Sequence, residues 1–173
     1  MRDATPWILL SSAALFAAGC SSPRAEYERA VKTLQPTFEA LTKLRAETLL
    51  DPKIPDGGDL GGTIKEQVER CAGLRSKTDA LVANTAGYTD KPLIGMIAAI
   101  ERDLRDGTTA DKCAAPEKEE DDVLARMSRF NQCVESCRAW FVNVERDAGF
   151  FAAAARAAGL DAKGIPPDAR FSE

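Results

Sequence analysis

Five cysteines and no histidine bound the chemistry open to this 173-residue chain. Without an imidazole there is no ordinary general base at neutral pH, no Ser-His-Asp or Cys-His arrangement, and little scope for zinc catalysis. Only Cys133 and Cys137 lie close in sequence. Their Cys-x-x-x-Cys spacing is not the redox Cys-x-x-Cys. On a helix it sets the two Cβ atoms about 6 Å apart, beyond disulfide reach, so each must find its partner elsewhere. A four-thiolate zinc site ordinarily shows two close-spaced pairs, and one is missing, so no metal is assigned. Asp and Glu are plentiful, but no spacing marks two of them as acid and nucleophile, and helical carboxylates usually form solvated faces. The sequence therefore assigns no catalytic residue and no cofactor.

The element that must carry the cysteine pair is a helix. Val123, Met127, Phe130, Val134, Cys137, Phe141, Val144, Ala148 and Phe151 recur at alternating steps of four and three, one continuous apolar stripe. The alanine-rich run Ala152 to Ala158 extends it, and Gly149 is a point where it could bend. Trp140 and Phe141 lie at the seam and its edge. Phe150 lies about 130° off it and is expected to be covered by the tail through Leu160, Ile165 or Phe171.

At the other end of the chain, a short charged start (Arg2, Asp3) precedes an apolar run from Trp7 to Ala18, too short to span a bilayer. The run closes on Leu15-Phe16-Ala17-Ala18-Gly19-Cys20-Ser21, which resembles the lipobox-type signal peptide of bacterial lipoproteins over residues 1–22. The resemblance implies cleavage before Cys20, a diacylglyceryl group on its sulfur and acylation of its new amine. Ser21 implies sorting to the periplasmic side of the cell outer membrane. Residues 1–19 are then signal, 20–25 a lipidated tether, 26–158 a helical bundle and 159–173 an irregular tail. The mature part, about 150 residues, is one domain in size.

With Cys20 given to lipid, four cysteines remain in an exported chain, and an even number in an oxidising compartment reads as two disulfides. Excluding Cys133–Cys137 also excludes its complement Cys71–Cys113. Two connectivities stay open. The nested one, Cys71–Cys137 with Cys113–Cys133, suits an antiparallel course, because Cys113 precedes the long helix and should meet the earlier of its two cysteines.

The intervening chain supplies the other helices. Tyr27, Val31, Leu34, Phe38, Leu41, Leu44 and Thr48 form a first stripe, with Pro36 expected to kink or break it. The loop Asp51 to Gly62 is rich in Gly and Pro. Its aspartates 51, 56 and 59 could face a calcium ion, but their spacing does not fit an EF-hand, and a solvated hinge is the expected role. Thr63 and Glu66 form a capping box for a second helix running to Leu81 or Val82, with Gly87 its C-cap. Asp90 and Pro92 open a third helix on Leu93, Met96, Ile97, Ile100 and Leu104, which Gly107 ends. The acidic residues from Glu117 to Asp122 complement the macrodipole of the long helix.

The expected architecture is all-α, an antiparallel four-helix bundle stapled by disulfides, with a short turn between helices two and three. The net charge of −4 offers no basic excess for nucleic acid. The function expected is a lipid-anchored envelope module, structural or protein-interacting and non-catalytic, whose partners are the membrane and an envelope protein or cell-wall component. A bundle carrying a small apolar ligand is the alternative. Intact-mass analysis of the membrane-extracted protein should find a mature chain beginning at acylated Cys20, and Cys20→Ser should move it from the detergent to the aqueous phase. An unmodified N-terminus at another residue would refute the assignment.

Overall fold

A computed structural model describes residues 22–49, 60–113 and 122–165. The signal segment, Cys20, the aspartate-bearing loop, Glu117 to Asp121 and Phe171 lie outside the described residues. Among those described, every regular element is a helix: α1 (Pro23–Thr48), α2 (Leu60–Ala72), α3 (Leu74–Thr78), α4 (Lys91–Leu104), α5 (Thr108–Cys113) and α6 (Val123–Ala157). Four of them, α1, α2, α4 and α6, are long, and the C-terminal one is the longest at 35 residues.

In α1 the apolar stripe is buried as its spacing requires, with Tyr27, Val31, Leu34, Phe38, Leu41 and Leu44 all inside. The helix begins at Pro23, so the expected tether over 20–25 is already helical in its second half. Ser22 caps it by accepting from the Ala25 N–H at 3.3 Å. Pro36 does not break it. That residue is exposed, so the carbonyl deprived of its helical donor lies on the side where water can supply one.

The second helix departs from expectation at both ends. It starts at Leu60, which places Thr63 inside the helix and not at its N-cap. It stops at Ala72, and Gly73, at φ −74° and ψ −4°, separates it from α3. Glycine holds helical conformation poorly. The offset leaves Leu74, Thr78, Leu81 and Ala83 buried, where a straight helix would carry its stripe onward. The expected short turn is therefore a longer segment over 79–90, and Gly87, at φ +80°, serves a turn within it and not a C-cap.

α4 begins as expected: Asp90 Oδ1 accepts from the Leu93 N–H at 2.8 Å, and Pro92 occupies the first turn. Leu93, Ile97 and Ile100 are fully buried. Cys113, expected in a connection, ends the short helix α5.

α6 packs against α1, α2, α4 and α5. Asp122 caps it, accepting from the Ala125 N–H at 2.7 Å. The stripe expected from Val123 is buried only from Cys137 onward. Val123 and Leu124 are 74% and 78% exposed, and Met127, Phe130 and Val134 are half-buried. Beyond Cys133 the helix buries Cys137, Trp140, Phe141, Val144, Ala148, Phe151, Ala152 and Ala155. Phe151 meets Tyr27 and Phe38 of α1, with ring centroids 6.4 and 6.5 Å apart. The tail folds back far enough to bury Ile165 but leaves Phe150 61% exposed, contrary to expectation.

Polar contacts fix the packing. Buried Glu26 of α1 accepts from the backbone N–H groups of Thr89 and Asp90, each at 2.8 Å, tying the start of α4 to α1. Arg45 Nη1 donates to both oxygens of Glu145 at 2.6 and 2.7 Å, joining α1 to α6. Between α4 and α6, Arg102 reaches Asp147 at 3.4 Å and Arg146 reaches Asp103 at 3.8 Å.

These placements predict a contrast between two phenylalanines of one helix. Phe141→Ala should cost about 3–5 kcal/mol in urea denaturation, because a fully buried ring leaves a cavity. Phe130→Ala, at a half-buried site, should cost no more than about 1 kcal/mol.

Candidate functional site

The cysteines converge although their sequence positions are far apart. Cys71 comes from the penultimate position of α2, Cys113 from the last of α5, and Cys133 and Cys137 from successive turns of α6. α2, α5 and α6 all pack on one another, and the sulfurs of Cys71, Cys113 and Cys133 lie within 4.8 Å of one another. Cys113 and Cys133 form a disulfide with Cα atoms 4.7 Å apart. A hydrogen bond from the Thr109 hydroxyl to the Ser136 carbonyl, 3.1 Å, holds α5 on α6 beside it.

The other expected bridge, Cys71 to Cys137, is not formed. The two are free, fully buried thiols, each perturbing the other. Cys71 receives the Gln67 side-chain amide at 3.0 Å, and the same amide nitrogen donates to the Thr48 carbonyl at the end of α1 at 2.9 Å. The hydrogen bond from Cys137 draws the Cys71 thiol below its usual range against the opposing effect of burial, with Gln67 assisting. Cys137 moves the other way: its hydrogen bond to Cys71, its burial and the charge on Cys71 all push it up.

A cavity of about 580 Å³ opens beside the disulfide, between α2, the end of α5 and the first turns of α6. Its apolar lining is Ile64, Val68, Met127 and Phe130, and its charged lining is Lys65, Glu69, Lys112, Arg126 and Arg129. Cys113 and Cys133 line it, whereas Cys71 and Cys137 do not. The four sulfurs thus divide into an outer bonded pair and an inner thiol pair. Nothing in the sequence marked the cavity. Gln67 was legible only as the residue one turn before Cys71, a spacing that puts it on the same helical face.

Away from the cysteines, Asp103 of α4 and Asp147 of α6 are bridged by Arg102, which contacts them at 2.8 and 3.4 Å. That is the pattern of a charge-compensated interhelical tie.

The disulfide closes a loop of sequence separation 20. Replacing both of its cysteines with serine should therefore lower unfolding free energy by about 3 kcal/mol on the chain-entropy model, read from denaturant midpoints under identical conditions.

No family model matches the chain, and neither the curated proteins nor the solved structures include a significant match to it.

Proposed function

We propose that the chain is a lipid-anchored helical module of the bacterial envelope, held at the periplasmic side of the outer membrane, which acts through structure and protein contact and not through catalysis. The anchor rests on the Ala17-Ala18-Gly19-Cys20-Ser21 stretch. An antiparallel course is favoured by the order of contacts between α1 and α6: Tyr27, early in α1, meets Phe151, whereas Arg45, late in α1, meets Glu145.

The observation that carries the interaction reading is Phe150. It stands exposed on α6 between Gly149 and Phe151, both buried. A large apolar ring held outward by a rigid, interior-packed helix is an anchor of the kind protein interfaces use. The partner is an envelope protein or a cell-wall component, with no role for nucleic acid. Among the described residues no helix is long and apolar enough to cross a membrane, so attachment would fall to the acylated N-terminus.

The cavity beside Ile64 and Phe130 favours a second reading, a carrier of a small apolar molecule with an anionic head facing Lys65, Lys112 and Arg126. That site lies at the side of the bundle, not in its core.

One preparation separates the two. The detergent-extracted protein is analysed for associated protein and for solvent-extractable small molecules, alongside Phe150→Glu and Val68→Trp. The interaction reading expects Phe150→Glu to lose its partner with no change in thermal midpoint. A stoichiometric apolar molecule that survives Phe150→Glu and disappears in Val68→Trp would replace that reading with the carrier.

A further inference from the structure

The cysteine cluster holds more chemistry than a staple requires. A structural disulfide needs two sulfurs and an inert surround, yet here a third sulfur, Cys71, sits within 4.8 Å of both bonded ones. A fourth, Cys137, is near enough to the third for each to perturb the other. The arrangement is also graded from outside to inside. The bonded pair lines an open cavity, and the thiol pair behind it is fully buried.

We propose that the four sulfurs form an internal thiol–disulfide relay, in which the bridge of the cavity-lining pair Cys113–Cys133 passes through Cys71 to the inner pair Cys71–Cys137. In the first step the Cys71 thiolate attacks one sulfur of the bridge. A bond forms between Cys71 and that sulfur, the Cys113–Cys133 bond breaks, and the displaced sulfur leaves as a thiolate at the cavity wall. In the second step the Cys137 sulfur attacks Cys71, forming the inner bridge and displacing the other cavity sulfur. The protons first held by Cys71 and Cys137 end on Cys113 and Cys133. One disulfide and two thiols are present before and after, so no external oxidant or reductant enters the balance.

Each residue's surroundings match its part. Cys71 is the attacking sulfur because it lies within 4.8 Å of both bonded sulfurs and receives the Gln67 amide at 3.0 Å, a donor that stabilises a thiolate without water. Cys137, outside that group of three and buried behind it, is the resolving thiol. Lys112, adjacent in sequence to Cys113, with Lys65, Arg126 and Arg129 outnumbers the one carboxylate of the lining, Glu69, and this positive balance lowers the cost of the thiolates that leave. The product presents two thiols to a cavity open to solvent, a site for a thiol-reactive or disulfide-bearing partner that the starting state does not offer. The inference goes beyond the structural role proposed above and stands whether or not Cys20 is lipidated.

The test is alkylation of the native, full-length protein with iodoacetamide, followed by acid quench, denaturation and disulfide mapping. Trapping the cavity thiols draws exchange forward. Wild-type protein should accumulate label on Cys113 and Cys133 with Cys71 joined to Cys137. Cys71→Ser should slow labelling of both by at least tenfold and keep the Cys113–Cys133 bridge. Cys137→Ser removes the resolving thiol, so it should instead collect label on one cavity cysteine with Cys71 bridged to the other, a species that simple loss of stability would not produce. Far-ultraviolet circular dichroism confirms that each variant is folded. The proposal is overturned if folded wild-type protein takes label on Cys71 and Cys137 while Cys113–Cys133 persists, or takes no label on any of the four. It is equally overturned if Cys137→Ser yields no bridge to Cys71.

Discussion

A 35-residue helix cannot keep a continuous apolar face in water, and the rest of the chain is arranged to cover that of α6. From Cys137 to Ala155 the face is buried. Phe141 and Trp140 meet edge to face with centroids 4.9 Å apart, and Phe151 sits among the aromatic rings of α1. Among the described residues, those lining the cavity beside the first turns of α6 come from α2 and the end of α5, and Val123 and Leu124 stay exposed. The disulfide lies at the boundary between covered and uncovered α6, where a covalent tie contributes more than another apolar contact that water could undercut.

The polar groups serve the same constraint. Glu26 is buried, and burying a carboxylate is unfavourable unless donors surround it. The Thr89 and Asp90 N–H groups do so, and in consequence the irregular segment before α4 is fixed to α1. Asp90 then caps α4 through its own side chain. One buried charge thus orders an irregular segment and the start of a helix. The pairs Arg45–Glu145 and Arg102–Asp147 likewise set how α1 and α4 lie on α6, each with a carboxylate buried and its arginine reaching out to water. Their contribution is to register more than to bulk stability.

Much of this was legible in the sequence because helices bury one face at a fixed period. The α1 stripe, the Asp90–Pro92 start of α4 and the extension of α6 through its alanine run followed from spacing alone. Legibility ended where tertiary context overrides local preference. Thr63 and Glu66 have the residue types of a capping box, but the helix starts upstream at Leu60, and a side chain already inside a helix cannot cap it. The second helix was expected to run on to Leu81 or Val82, but it ends at Ala72 and Gly73 separates it from α3. The α6 stripe was perfect in period from Val123, yet period reports which face could be buried and not whether a partner reaches it. Phe150 failed for the related reason that the tail's reach is a tertiary fact. The pairing of Cys113 with Cys133 could be argued from chain order. The proximity of Cys71 to that bond could not, since it depends on how α2 lies on α5 and α6.

That last proximity changes what the cysteines mean. Sulfurs spaced one turn apart on a helix cannot bond to each other, so Cys133 and Cys137 necessarily look toward different partners. Had those partners been remote from one another, the result would have been two independent staples. Because Cys71 and Cys113 instead come from helices packed on each other, the two partner sites merge, and a bond at one is adjacent to a nucleophile at the other. In such a cluster covalent connectivity is no longer fixed by the fold alone; it is selected by which sulfur is ionised and which is exposed. Here the Gln67 amide reaches the inner sulfur Cys71, whereas the outer pair lines a cavity whose charged residues, Lys65, Glu69, Lys112, Arg126 and Arg129, are mostly cationic. The inner and outer sulfurs thus sit in different electrostatic surroundings a few ångströms apart.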